Sequence, residues 1–355
     1  MAPLAYPKFG RESVVIGCIA EYDPRPLTVL RLVFLLISAC LVVPAAAWSS
    51  GKQPSPQTPS ARVGIFYYPW FATAQRDGAY AHWQQGGSAP PDSLASGFYP
   101  ARGPYSSADA LVLDAQMREI AAAGIGTVIA SWWGRGSLED RRLPQVIVAA
   151  RAHGLAVAAH LEPYGGRTVA TTEADIGFLR ALGISDFYVW ASVSLPDAEW
   201  AALNARLAGV RTFANTNLAG RAAAGKFDGL YTYDVLLFGG ALFPRLCGQA
   251  RLLGLLCAPS VGPGYDARRA TGDDRVRSRR NGATYDSMWR GAVKARADLV
   301  TITSYNEWHE GTQIEPARPA QRGYEGYDGA WGLRGRAAET AYLIRTAFWV
   351  RRLSG

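Results

Sequence analysis

Glu307 and Glu310 stand three residues apart in the run Asn306-Glu307-Trp308-His309-Glu310. Cleavage of a glycosidic bond ordinarily uses two carboxyls, one protonated to release the leaving oxygen and one ionised. These glutamates form the best such pair in the chain, unless one is spent on an Arg or His and only shapes its loop. A third carboxyl stands in His160-Leu161-Glu162-Pro163-Tyr164. Glu162 can bind a sugar hydroxyl or a cation, or pair with Arg167. His160 and His309 can approach Glu162 in space. No HxH or HExxH spacing marks a metal site, however, so neither metal nor cofactor is expected. His153, at a predicted helix end, reads as a partner for the helix dipole. Neither a GxSxG elbow nor a phosphate loop is present, which argues against esterase and nucleotide chemistry.

These residues need a scaffold that brings distant segments to one place. From Val63 onward, short apolar runs alternate with amphipathic ones. The spacing predicts strands at Val63–Trp70, Thr127–Trp133, Leu155–Pro163, Ile184–Ala191, Arg211–Asn215, Gly229–Asp234, Leu255–Ser260 and Leu299–Tyr305. Nearly continuous hydrophobicity is the mark of parallel strands buried on both faces. Helices are predicted at Asp109–Ala123, Pro144–His153, Thr171–Leu182, Asp197–Ala208 and Arg336–Leu353. Pro144 is expected in the first turn of its helix, and glycines follow several helix ends. Eight such units predict an α/β fold, a single (β/α)₈ TIM barrel. No GxGxxG follows the first strand, as a doubly wound nucleotide-binding sheet would require.

A barrel of this kind places its chemistry at the C-terminal ends of its strands. Those ends carry Tyr67 and Tyr68, Trp132 and Trp133, His160 and Glu162, Tyr188 and Trp190, Tyr231 and Tyr233, then Asn306 to Glu310. Tyr265 follows the seventh strand. The long connection from Phe71 to Ser107 carries His82 and Trp83 and reads as a structured loop over the barrel mouth. So many aromatic and polar groups at one rim favour a site over mere packing.

Composition is consistent with this reading. The 355 residues are 49% hydrophobic, with 11 Trp and 17 Tyr, whose flat rings suit the C–H faces of sugars. The net charge of +8 is scattered and no nucleic-acid motif accompanies it. The exception is Arg268–Arg280, with six Arg, which reads as a solvated loop or, less readily, as a cradle for an anionic group on a sugar polymer. Residues 1–47 read as an N-terminal extension and export signal, with an apolar run from Leu32 to Val43 before Ala45-Ala46-Ala47. Cleaved export is expected. A lipid anchor at Cys40 and an uncleaved signal anchor are the alternatives. Residues 48–60 read as a flexible linker and 61–355 as the catalytic domain. Cys247 and Cys257 either form a disulfide or remain buried thiols.

The segments GIFYYPWF, ASWWG, HLEPY, SVGPGYD and SYNEWHEGTQIEPA, in this order, resemble glycoside hydrolase family 99. That family holds endo-α-1,2-mannosidases and bacterial endo-α-1,2-mannanases. The resemblance spans about Val63 to Val350. It implies a retaining endo-acting hydrolase of internal α-1,2-mannosidic bonds, working on α-mannan or a mannose-containing oligosaccharide. By the same resemblance, Glu307 deprotonates the sugar's 2-hydroxyl, which attacks C1 to give a 1,2-anhydro sugar. Glu310 protonates the leaving oxygen and then activates water. Tyr67, Glu162, Tyr233 and Asn306 are implied to line the cleavage subsite, with Tyr231 as a substitute for Tyr233 if the compressed segment before the seventh strand is shifted. Trp133 resembles the bacterial Trp that contacts the next mannose, where Golgi-type enzymes carry Tyr. Tyr68, His82, His160, Tyr265 and His309 complete the candidate substrate-binding set. No protein or nucleic-acid partner is expected. Two other functions fit less well: a related barrel in cell-surface polysaccharide assembly, whose first strand usually reads YPQFH, and a non-catalytic glycan-binding protein.

Overall fold

A computed structural model describes residues 59–354 of the chain. The expected export segment and most of the expected linker lie outside the described residues, as do Cys18 and Cys40. Ser60, at the end of that linker, already belongs to the first strand.

Eight parallel strands alternate with eight principal helices among the described residues. The strands are β1 (Ser60–Tyr67), β2 (Ile125–Trp132), β3 (Ala156–Leu161), β4 (Asp186–Val189), β5 (Arg211–Asn215), β6 (Gly229–Tyr231), β7 and β8 (Val300–Ile302). Strand β7 comes in two pieces, Leu256–Ala258 and Ser260–Val261. The helices are α1 (Ala110–Ala122), α2 (Leu138–Ala152), α3 (Val169–Ala181), α4 (Asp197–Asn204), α5 (Ala219–Ala224), α6 (Phe243–Leu252), α7 (Ala283–Lys294) and α8 (Ala341–Ser354). Neighbours in sequence are neighbours in the sheet, and β1 pairs with β8 through Val63↔Val300 and Ile65↔Ile302. The ring closes through β7, whose first piece pairs with β6 and whose second pairs with β8. Pro259 separates the two pieces because it has no N–H to offer a ladder. Its carbonyl still accepts from the Thr301 amide at 3.2 Å. The predicted (β/α)₈ barrel is the observed fold.

The helices form where local and packing signals agree. In α1 the Asp109 side chain accepts from the Leu111 amide, and Leu113, Met117 and Ile120 turn inward at helical spacing. Ala123 and left-handed Gly124 then end it. Truncating Met117 to Ala would cost about 3 kcal/mol. Helix α2 corrects an expectation. It starts at Leu138, capped by Ser137, so Pro144 lies inside the helix and not in its first turn. Buried Leu143, Val146 and Ile147 offset the missing backbone bond. Helices α4 and α5 are short, as the compressed sequence there suggests. Strands end two to three residues earlier than expected at β1, β3, β4, β6 and β8, because their last residues turn into the loops of the barrel mouth. Cys247 on α6 and Cys257 on β7 form a disulfide, with Cα atoms 5.2 Å apart.

Candidate active site

The segment after β8 is a loop tied shut at its base. The Ser304 amide donates to Thr312 O, the Ile314 amide to Ser304 O and the Glu315 amide to Tyr305 O, all at 2.8 to 2.9 Å. Inside the loop, the Glu307 amide donates to Ser304 Oγ (2.8 Å). The Asp266 amide holds the Glu310 carbonyl at 2.7 Å. Gly311 must be glycine: its φ is +61°, and a Cβ there would lie 3.0 Å from the Asp266 carbonyl. Arg279 fastens the far side, its Nη2 donating to Gly311 O (2.9 Å) and Gln313 O (2.7 Å). The Arg279 guanidinium also lies over the rings of Phe98, Tyr327 and Tyr342, at 4.5 to 4.8 Å.

This loop carries Glu307 and Glu310 to the barrel mouth. Burial raises both carboxyls above the ordinary range, Glu307 well above it and Glu310 to about 8. The next cause for Glu307 is the charge of Glu310, and for Glu310 the charges of Asp234 and Glu162. Their hydrogen-bond donors differ. Glu307 Oε1 accepts from the His309 amide at 3.1 Å, and the Glu310 amide also favours its ionised form. Glu310 Oε2 faces the Tyr233 hydroxyl at 3.5 Å. Two backbone amides steady a carboxylate on Glu307, whereas the one donor facing Glu310 is the longer contact from the Tyr233 hydroxyl. That asymmetry suits a base at Glu307 and an acid at Glu310.

Side chains from other strands converge on the pair. The Tyr68 and Tyr233 hydroxyls are hydrogen-bonded to each other, and Tyr233, at φ +49°, continues the chain to Glu310. Tyr231 sits deeper, its hydroxyl 2.9 Å from His160 Nε2, so Tyr233 is the tyrosine next to Glu310. Ser131 Oγ donates to Glu162 Oε1 at 2.8 Å, and His160 Nδ1 lies 2.9 Å from the same oxygen. The alternative partner, Arg167, instead binds the carbonyls of Leu161 and Trp190. His309 Nε2 donates to the His82 carbonyl, and burial lowers its pKa to about 4. With the ring neutral, Nδ1, 3.5 Å from Glu307 Oε1, brings no positive charge to that carboxyl. The His82 ring stacks on Trp70 at 4.4 Å and on His309 at 5.6 Å. Tyr265 contributes near Glu310 and donates to Asp273 Oδ2 (3.0 Å). Trp133, partly exposed, lines a cavity on the β2–β3 side of the mouth.

Two expected residues serve the site only indirectly. The Tyr67 hydroxyl donates to Gln116 on α1 (2.6 Å), behind the strand. Successive side chains alternate across a strand, so Phe66 and Tyr68 face the barrel axis and Tyr67 faces the helices. Phe66 accordingly packs tilted against His160 and Tyr231 and edge-on against Tyr188 and Tyr233. Asn306 is fully buried and does not line the mouth. Its Oδ1 accepts from the Tyr68 amide (2.8 Å) and its Nδ2 donates to the Tyr68 carbonyl (3.0 Å), which clamps that tyrosine in place.

Other contributors have no signature of their own in the sequence. Glu315 is fully buried and accepts from Arg102, Tyr105 Oη (2.7 Å), Gln116 Nε2 (2.8 Å) and Trp308 Nε1 (2.9 Å). The charge of Asp234 adds to the rise at Glu310, and Ser131 holds Glu162 by a hydrogen bond. The arginine run is not simply solvated. Arg268 and Arg275 pair with Asp266 and Asp273, while Arg269, Arg277 and Arg279 bind backbone carbonyls.

The chain matches the model of glycosyl hydrolase family 99 over residues 60–355. A glycoprotein endo-α-1,2-mannosidase-like protein of Danio rerio is 33% identical over 316 residues, 72% of this chain and 71% of its own. A glycoprotein endo-α-1,2-mannosidase of Xenopus laevis is 31% identical over 320 residues, 73% and 70% of the two chains. The solved family 99 endo-α-mannosidase of Bacteroides thetaiotaomicron superimposes with a TM-score of 0.75 at 29% identity, covering 83% of this chain and 98% of that one. The barrel, its paired carboxyls and these likenesses agree: the chain belongs to glycosyl hydrolase family 99 and is a glycoside hydrolase.

Proposed function

We propose that the protein is a retaining endo-α-1,2-mannosidase that cleaves internal bonds of α-mannans or mannose-rich glycans through a 1,2-anhydro sugar. The observation that carries this reading is the unequal environment of Glu307 and Glu310 within one loop. Glu307 takes the proton of the sugar's 2-hydroxyl. The freed oxygen attacks C1 as the bond from C1 to the leaving oxygen breaks, and Glu310 gives that oxygen its proton. In the second half, Glu310 takes a proton from water, the water oxygen attacks C1 as the C1–O2 bond of the anhydro ring breaks, and O2 recovers its proton from Glu307. Two displacements at C1 retain its configuration. Neither carboxylate has to reach C1, which suits two acids on one short loop.

The substrate reading rests on Trp133, which resembles the Trp of the bacterial enzymes and not the Tyr that the family resemblance implies for Golgi-type ones. It favours a mannan over a glucosylated mannoside. Export is the matching location, since the Cys247–Cys257 disulfide would persist in an oxidising compartment. Amino-terminal sequencing of the mature protein tests it.

The decisive experiment is product analysis by NMR on α-1,2-mannan and on glucosylated mannosides. The expected first product has the α configuration. Glu310→Gln is expected to lose activity on mannan while keeping some on a substrate with a good leaving group, and Glu307→Gln to lose both. An inverted product, or full mannan activity in either variant, would refute the proposal.

A further inference from the structure

Three neighbouring helices carry no carboxylate on their outer faces. Helix α6 exposes Arg245, Arg251 and Leu252, α7 exposes Arg290 and Lys294, and α8 exposes Ile344, Arg351 and Arg352. Their one acidic residue, Asp286, is buried and accepts from Arg345 Nε (2.7 Å) and Nη2 (2.6 Å). Elsewhere cations stand beside carboxylates, as Arg118 does beside Asp114 on α1 and Arg206 beside Glu173 on α3. Positive charge that is balanced on one side of the barrel is therefore unbalanced on the other.

The unbalanced cations gather at one end. In a (β/α)₈ barrel the helices run back against the strands, so their last turns stand where the strands begin, opposite the catalytic mouth. Side chains there join the last turns of α6, α7 and α8 into one surface. Arg251 donates from Nη2 to Ala295 O, just after α7 (3.2 Å). Arg62, at the start of β1, donates from Nη2 to Ala297 O and from Nη1 to Leu353 O, both at 2.7 Å. Lys294, Arg296, Arg351 and Arg352 stand exposed around these links. The carboxylates at this end, Asp228 and Asp298, accept from the backbone amides of Thr212 (2.7 Å) and Cys257 (2.9 Å). In the turn from α6 to β7, Leu252 is 87% exposed and Leu253 49%.

A cation at a helix C-terminus balances the helix dipole. That accounts for neither the missing carboxylates nor two leucines side by side in water. A basic surface with an apolar tip matches anionic lipid. The cations attract the phosphate headgroups, and the leucines enter the boundary between headgroups and acyl chains. A soluble polyanion would engage the charge and leave the leucines in water.

We propose that this end of the barrel docks on an anionic phospholipid bilayer, with Lys294, Arg296, Arg351 and Arg352 over the headgroups and Leu252 and Leu253 inserted among them. Docking in this orientation points the catalytic mouth away from the bilayer, toward glycan in the surrounding medium. The proposal uses no residue of the active site, so it and the substrate reading can fail separately.

The test is sedimentation of the full chain with vesicles of phosphatidylcholine and with vesicles of phosphatidylcholine and phosphatidylglycerol in equal parts. The N-terminal segment is the same in every variant, so differences between variants read the surface alone. The wild type is expected to bind the anionic vesicles about tenfold more tightly, and to lose that preference as added salt screens the charges. Lys294→Gln, Arg296→Gln, Arg351→Gln and Arg352→Gln together should abolish the preference. All four positions are exposed, so the fold is kept, which an unchanged melting midpoint confirms. Arg118→Gln, Arg141→Gln, Arg322→Gln and Arg334→Gln together remove the same charge from other exposed positions and should leave the preference in place. Leu252→Ser keeps every cation and should weaken binding to the anionic vesicles by about tenfold. Equal binding of the wild type to both vesicles overturns the proposal, as does a preference that survives the first set of four substitutions. Dimerisation of the wild type in solution that Leu252→Ser abolishes assigns the surface to a second copy of the chain and overturns it as well.

Discussion

Glu315 and the pair Glu307 and Glu310 share one loop, within nine residues, yet the fold treats them in opposite ways. Glu315 points behind the barrel wall and meets four donors, from Arg102, Tyr105, Gln116 and Trp308. Glu307 and Glu310 point to the mouth and are buried with few donors and other carboxyls nearby. A carboxylate surrounded by donors is a structural anchor. A carboxylate deprived of them holds its proton to higher pH and can do acid–base work. The anchored glutamate also serves the deprived ones, because Trp308 and the base of the loop are fixed through it.

The largest test of this contrast is Glu307→Gln. It should reduce mannan hydrolysis by about 10³-fold or more while leaving the thermal midpoint unchanged or slightly raised. Rates and melting curves on the same preparation check both halves. Glu315→Gln should do the reverse. Removing the charge leaves Arg102 without its buried partner, at a cost of about 3 kcal/mol read from denaturant unfolding. If Glu315→Gln kept wild-type stability, the anchor role would fail.

Arg279→Met comes next. It keeps an apolar stem against Phe98, Tyr327 and Tyr342 but loses both carbonyls of the catalytic loop. A loop displaced by a fraction of an ångström should lower kcat by about 10- to 100-fold with little change in KM. An equal change in both would point to substrate binding instead. A further effect is in the pH dependence of stability. Unfolded Glu310 loses its proton near 4.5, while the folded residue keeps it to about 8. Across that window the native state holds the extra proton, so stability falls as pH rises. Glu310→Gln should flatten that slope, which melting curves over the same pH range would show.

The barrel itself was legible in the residue pattern, because parallel strands buried on both faces leave short apolar runs that helices separate. The acid pair was equally legible, since its two members are close in sequence and stand where a strand ends. Strand ends were harder, as at β6, where Tyr233 leaves the ladder to face Glu310 and Thr232 accepts from the Ser260 amide. The start of α2 was missed because packing of Leu143, Val146 and Ile147 tolerates Pro144 inside the helix.

By itself, the sequence determined the alternation of elements, the rim where polar and aromatic groups gather and the pair of glutamates proposed to act there. Tertiary structure decided which neighbour of a pair does the work. Tyr68 enters the site and Tyr67 does not, because side chains alternate and only the closed barrel defines its inside. Asn306 clamps Tyr68 across 238 positions, and Glu315 gathers donors up to 213 residues away. Such partnerships leave no local periodicity. They arise when the ring closes, and they set which carboxyl gathers donors and which faces the mouth with few.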